Sequence, residues 1–136
     1  MTKKQMIYFN VAREMSRLAD YKKFGIGCAV VYKHRVISTG YSSNKTDTLQ
    51  SRYNIYRPTK RYCPAKMHAE TMALKPLMNR KDIDFKNVEI YVYREIKNGD
   101  PAMSRPCKSC MALIKDLGIR YIYYSTDGGF SQEKFL

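Results

Sequence analysis

Two short runs, far apart in the chain, limit what it can fold into. Met67-His68-Ala69-Glu70 and Pro106-Cys107-Lys108-Ser109-Cys110 place an imidazole, a carboxylate and two thiols at the starts of two successive helical patterns. His68, Cys107 and Cys110 are soft or borderline metal ligands, and three such ligands with no obvious fourth describe an open zinc site. An open site leaves room for a water that the ion acidifies. Glu70, two residues from the histidine, is a carboxylate that can move that water's protons. The set is suited to hydrolysis, and the chain reads as an enzyme.

Cys107 and Cys110 stand one helical turn apart, so their sulfurs can meet a single ion. A helix start favours thiolates there through its free N–H groups and its macrodipole. Two thiolates and a neutral imidazole balance the charge of Zn²⁺. The chain has four cysteines, two of them as C-x-x-C, which suggests metal rather than a disulfide framework. Cys28 lies in an apolar stretch and reads as a small buried hydrophobe. His34 falls in a turn and reads as solvent-exposed.

A length of 136 residues suits one domain, spanning 1–136, with one core. No run approaches the roughly 20 apolar residues that span a bilayer, so no membrane association is expected. The start, Met1-Thr2-Lys3-Lys4-Gln5, lacks the apolar core of a secretory signal, and a cytoplasmic location is expected. Charge is the unusual feature. Lys and Arg number 25 against 12 Asp and Glu, a formal net charge of +13. A field of that sign draws phosphate, on a nucleotide or along a polynucleotide. A lysine-rich solvated surface is the bland alternative.

Thr2 and Gln5 have the spacing of a capping box, and Ile7, Val11, Met15 and Leu18 follow in the pattern of an amphipathic helix over roughly residues 3 to 19. Strands over 28–32 and 35–39, joined at Lys33-His34, predict a hairpin. Residues 42 to 66 have no clear period, and so long a loop is usually functional or disordered. It carries Lys45, Arg52, Arg57, Lys60, Arg61 and Lys66 against the single Asp47, interleaved with Tyr53, Tyr56 and Tyr62. Positive charge beside aromatic faces suits a nucleobase-phosphate ligand; taken singly, each tyrosine more often pins a loop to the core. A helix from His68 carries Ala69, Met72 and Leu77 inward, and Pro76 ends or kinks it. A third strand runs over 87–93 and a loop over 95–105. A helix from Pro106 closes at Gly118, and a fourth strand covers 120–124. For 127–136 a last strand, a turn of helix and disorder all stay open. The order α-β-β-α-β-α-β implies a mixed sheet covered by helices, parallel where a helix joins two strands.

The spacing H-x-E…P-C-x-x-C is the signature of zinc nucleobase deaminases, and the chain resembles the cytidine/deoxycytidylate deaminase superfamily. The resemblance runs through Gly27-Cys28-Ala29-Val30-Val31, Ser38-Thr39-Gly40-Tyr41, Cys63 to Leu74 and Pro106 to Tyr123. It implies an α/β fold, a three-layer α-β-α sandwich around a mixed sheet of four or five strands. It also implies one catalytic Zn²⁺ held by His68, Cys107 and Cys110, attack of the zinc-activated water on the amine-bearing ring carbon, and proton delivery by Glu70 to the ring nitrogen and then to departing ammonia. The N–H of Ala69 would contact the base carbonyl. The candidate substrate contacts are Ala69, Ser42, Asn44, Pro106, Arg57 and Arg61. Deoxycytidylate deaminases usually read Gly-Tyr-Asn-Gly where this chain has Gly40-Tyr41-Ser42-Ser43-Asn44, so Ser42 replaces the usual asparagine and Asn44 stands ready two residues on. Relatives of this kind are commonly homo-oligomers.

Two alternatives stand beside this reading. Cys63 as a fourth ligand would close a structural Cys₃His centre, a zinc-stapled nucleic-acid-binding module with no chemistry; Glu70 has no place in such a site. Within catalysis, a free nucleotide such as dCMP competes with cytosine or adenine in single-stranded DNA or RNA. The net charge favours the polynucleotide, the run through Cys63 and the helix and turn from Met111 to Ile119 favour the free nucleotide, and the balance falls on the latter.

Overall fold

The computed structural model describes residues 1–19, 25–56 and 66–135. Helix α1 spans Lys3–Ser16, and its capping box forms as the sequence predicts. The Gln5 N–H donates to the Thr2 hydroxyl at 3.1 Å, and the Thr2 N–H donates to the Gln5 side chain at 3.0 Å. Strands β1 (Ile26–Tyr32) and β2 (Arg35–Tyr41) form the expected hairpin, turning through Lys33 and His34 at φ 50° and 64°. His34 is exposed and Cys28 fully buried, as read.

Only the middle of the expected apolar stripe of α1 turns inward, with Val11 packed against the core and Met15 partly buried. Tyr8, Phe9, Ala12 and Ser16 pack inward, whereas Ile7 and Leu18 are 57% and 59% exposed. The cause is a close approach. A Cβ on Gly27 of β1 would stand 1.9 Å from the Ala12 carbonyl oxygen, so only small residues fit where helix and strand cross. Phe9 sets the rest of the rotation by meeting Tyr91 edge-on, with ring centroids 5.1 Å apart.

The loop expected over 42–66 contains a helix, α2 (Thr48–Tyr53), whose N-cap Asp47 accepts from the Gln50 N–H at 3.1 Å. Asp47 also pairs with Lys75. Helix α3 (Ala69–Leu74) gives way to a 3₁₀ turn over Lys75–Leu77, the early ending that Pro76 dictates. Strand β3 (Val88–Glu95) is followed by the two-residue β4 (Pro101–Ala102), inside the stretch read as loop. Helix α4 (Lys108–Leu117) ends at Gly118 with φ 88°, the left-handed cap that its glycine allows. Strand β5 (Tyr121–Thr126) turns into β6 (Gly129–Lys134), so the tail is mostly strand.

The sheet order is β2-β1-β3-β5-β6, with β4 on β3, giving six strands rather than four or five. Among the described residues only β3 and β5, joined through α4, run parallel. Strands β4 and β6 carry little apolar pattern, although Phe130 of β6 packs against the core beneath α1. One core, with Val30, Ile90, Val92, Leu113 and Ile114, lies between the sheet and α3 and α4. A second, with Phe9, Ala12, Val31 and Tyr91, lies between the sheet and α1. Burying a Val, Leu, Ile or Phe side chain of these cores stabilises the fold by about 1.5–3 kcal/mol. The result is the α-β-α layering that the sequence implied.

Candidate active site

His68 and Cys107 are both N-cap residues, of α3 and α4, with extended backbone (φ, ψ of −80°, 159° and −68°, 170°). Neither side chain caps its own helix. His68 Nδ1 lies 3.3 Å from Cys110 Sγ and 3.5 Å from Cys107 Sγ. The donor atoms of the three residues lie within 4.8 Å of one another, the sole such His/Cys/Asp/Glu group among the described residues. Two sulfurs and one imidazole nitrogen are the donor set that suits zinc, and the cluster fits such an ion.

The electrostatics of the cluster favour anionic sulfur. The Cys107 thiol is lowered to about 3 by its hydrogen bond with Cys110, with further contributions from His68 and Ser109; the Ser109 hydroxyl is buried 3.0 Å from its sulfur. Cys110 is pushed the other way, by that same bond and by burial. Glu70 is 4% exposed. Burial raises its pKa above the ordinary carboxylate value, with Cys107 adding to the rise and His68 opposing it. A carboxyl that retains its proton more readily stands beside the donor cluster.

Three features that sequence reasoning missed hold this arrangement. Gln50 of α2, 1% exposed, accepts from the His68 N–H at 3.1 Å and from the Thr71 hydroxyl at 2.6 Å. From the same helix, the Tyr53 hydroxyl donates to Asp116 of α4 at 2.8 Å, so α2 ties both ligand-bearing helices together. A faint signal existed: Asp47 and Gln50 have capping-box spacing. Second, Gly40 of β2 admits α3 so closely that a Cβ there would stand 2.2 Å from the Ala69 carbonyl oxygen. Third, the segment before Cys107 is stapled to β5 and β6. The Ser104 hydroxyl bonds Val92 and Ser125, and Arg105 grips Glu133 through two hydrogen bonds, at 2.6 and 3.1 Å.

The remaining predicted contacts separate. Ala69 and Pro106 are buried at the two helix starts. The Ser42 hydroxyl accepts from the Ile26 N–H at 3.1 Å, on the end of β1. Asn44 is exposed and accepts from Lys66 through its carbonyl. Ser43, not singled out from the sequence, donates its N–H to Met67 at 2.9 Å and so lies against the residue before His68. Tyr53 packs on the core, the pinning role, and Tyr56 is half exposed. Arg57, Lys60, Arg61, Tyr62 and Cys63 lie outside the described residues.

A three-layer α/β fold with an imidazole and two thiols gathered between two helix starts sets out a candidate metal centre. Residues 2–126 match the family model of the cytidine and deoxycytidylate deaminase zinc-binding region, and the chain belongs to that family. No curated protein sequence matches it. Among solved structures, it is similar to a cytidine deaminase from Burkholderia pseudomallei at 17% identity and TM-score 0.65, covering 98% of this chain and 93% of that one. It is also similar to the dCMP deaminase of the cyanophage S-TIM5 in apo form, at 18% identity and TM-score 0.61, covering 91% and 84%. The same phage enzyme in complex with dCMP and dUMP matches at 19% identity and TM-score 0.62, covering 91% and 82%. At these identities the likeness is one of fold.

Proposed function

We propose that the chain is a zinc-dependent hydrolytic deaminase that converts cytosine to uracil and releases ammonia, acting on a free nucleotide such as dCMP. The observation that carries this reading is the His68–Cys107–Cys110 cluster with the buried carboxyl of Glu70 beside it. Zinc, when bound there, supplies an acidified water as nucleophile. His68, Cys107 and Cys110 would hold the ion, and Glu70 would be the group that moves protons, from the water to the ring nitrogen and then to the departing amine. Its raised pKa suits a group that must both accept and donate near neutral pH. The Ala69 N–H, at the first position of α3, belongs to a helix start that lacks intrahelical acceptors and is free to bond the base carbonyl. Ser42, Asn44, Pro106, Arg57 and Arg61 complete the proposed substrate contacts.

The free nucleotide is favoured because the S-TIM5 enzyme of like fold is a dCMP deaminase solved with dCMP and dUMP. The net charge of +13 favours the competing substrate, a base in single-stranded nucleic acid. Ammonia release by the zinc-loaded protein decides between them, with dCMP, CMP and cytidine in one arm and cytosine- or adenine-containing single strands in the other. Turnover of dCMP is the expected result. Turnover of oligonucleotides alone overturns the substrate assignment, and silence in both arms with zinc bound overturns the enzyme.

A further inference from the structure

At the end of α4 away from Cys107, roughly 15 Å along the helix axis, Lys86, Lys115, Arg120 and Lys134 converge on a cleft of about 650 Å³ with Phe135 on its wall. The four cations come from four separate stretches of chain, and among the described residues no carboxylate lines the cleft. None of them enters an ion pair among the described residues, although Arg13, Arg17, Lys75, Arg80 and Arg105 all do. Glu133, next to Lys134 in sequence, turns instead to Arg105 and Tyr124. Glu133 still acts on Lys115 through space, but its hydrogen bonds go to Arg105 and Tyr124, and gathering four like charges with so little counter-charge costs energy that a multiply charged anion would relieve.

Two of the ammonium groups are already held in place. Lys115 Nζ lies 4.8 Å from the Phe135 ring centroid, and Lys134 Nζ lies 5.4 Å from that of Tyr121. Side chains held this way lose less rotamer freedom when they bind. The carbonyl end of α4 would oppose an anion, but the Gly118 and Ile119 N–H groups occupy the Lys115 and Ile114 carbonyls. Gly118 itself has open space around its α-carbon, so no side chain fills the cleft at that point. Both rings already carry a cation, which leaves phosphate rather than a nucleobase as the matching chemistry.

We propose that this cleft is a second anion site, apart from the deaminase centre, that binds an oligophosphate, either inorganic or the phosphate chain of a larger ester. The test is calorimetric titration of the full, zinc-loaded chain with inorganic tripolyphosphate and separately with ATP, with zinc content measured again afterwards. The charge-reversing pair Lys115→Glu and Arg120→Glu should weaken tripolyphosphate binding about tenfold or more, while Lys3→Glu with Lys4→Glu, the same change of net charge on α1, should weaken it by less than about twofold. The milder pair Lys115→Gln and Lys134→Gln serves if the reversal does not fold. ATP should bind about as tightly as tripolyphosphate. Equal weakening by both charge-reversing pairs, absence of tripolyphosphate binding, or binding of single-stranded oligonucleotide alone would overturn the proposal. An ATP affinity more than about tenfold higher would overturn recognition through phosphate alone.

Discussion

Glu70 sits where a carboxylate is costly to keep charged, buried beside the sulfurs of Cys107 and Cys110. A structural zinc centre gains nothing from such a group, whereas a proton shuttle needs it. Glu70→Gln should leave zinc stoichiometry unchanged while lowering kcat by roughly 10²–10⁴-fold, the range that a general acid/base supplies. Metal analysis and steady-state kinetics on one preparation check both halves, and undiminished turnover would remove Glu70 from the chemistry. This residue and the three donors were legible in the sequence because their chemistry lies in residue type and spacing. Gln50 was not. A glutamine in an aperiodic stretch reads as solvated until the fold carries it back to the His68 N–H. Ser42 was singled out for its place in a motif, yet its hydroxyl bonds the end of a strand, and its neighbour Ser43 lies closer to the histidine run through Met67.

At the scale of elements, α2 acts as a brace. It reaches α3 through Gln50 and α4 through Tyr53, the two helices whose starts carry the donors. Gln50→Leu keeps the volume and removes the acceptor, leaving the His68 N–H and the Thr71 hydroxyl unpaired. Outer-shell partners of metal ligands commonly govern affinity by 10–100-fold, and the effect expected for this indirect support is a zinc affinity about tenfold weaker. Chelator competition measures it, and unchanged affinity would show that α2 braces nothing. The contact of α1 with β1 gives a second prediction. Gly27→Ala forces a methyl into the Ala12 carbonyl, backbone against backbone, so the helix must lift from the sheet. The expected cost is about 3 kcal/mol or more, read as a fall in Tm of roughly 10 °C. An unchanged melting curve would refute the close approach. That approach also explains why the buried face of α1 was misread in part: apolar periodicity counts large side chains, and at this crossing only small ones fit.

At the scale of the whole molecule, the α-β-β-α-β-α-β order was legible because the central strands carry continuous apolar runs and the helices have clear starts and stops. The outer strand β6 was not, since GFSQEK has no apolar alternation and is ordered by its pairing with β5. Charge also acts at this scale. With 25 basic residues against 12 acidic ones, each carboxylate that protonates removes scarce negative charge. Glu95 matters most where α1 ends, because it accepts from Arg17 at 3.0 Å and pairs with Arg13 at 3.0 Å, joining the helix to the end of β3. The Arg17 hydrogen bond, with Arg13 behind it, holds the Glu95 pKa below its ordinary value of 4.5, against a smaller opposing effect of burial. A carboxylate lowered in the folded state binds fewer protons there than in the unfolded chain, so its contribution to stability is present above pH 4.5 and drains away as pH falls through the folded value. Glu133, held down first by Arg105, adds in the same direction. Tm measured from about pH 6 to about pH 3 should therefore fall most steeply below pH 4.5. Glu95→Gln should lower Tm at the upper end and flatten that fall. An equally steep descent in the variant would place the acid sensitivity in general charge repulsion rather than in the clamp between α1 and β3, and added salt, which screens repulsion between exposed charges, would then restore most of the lost stability.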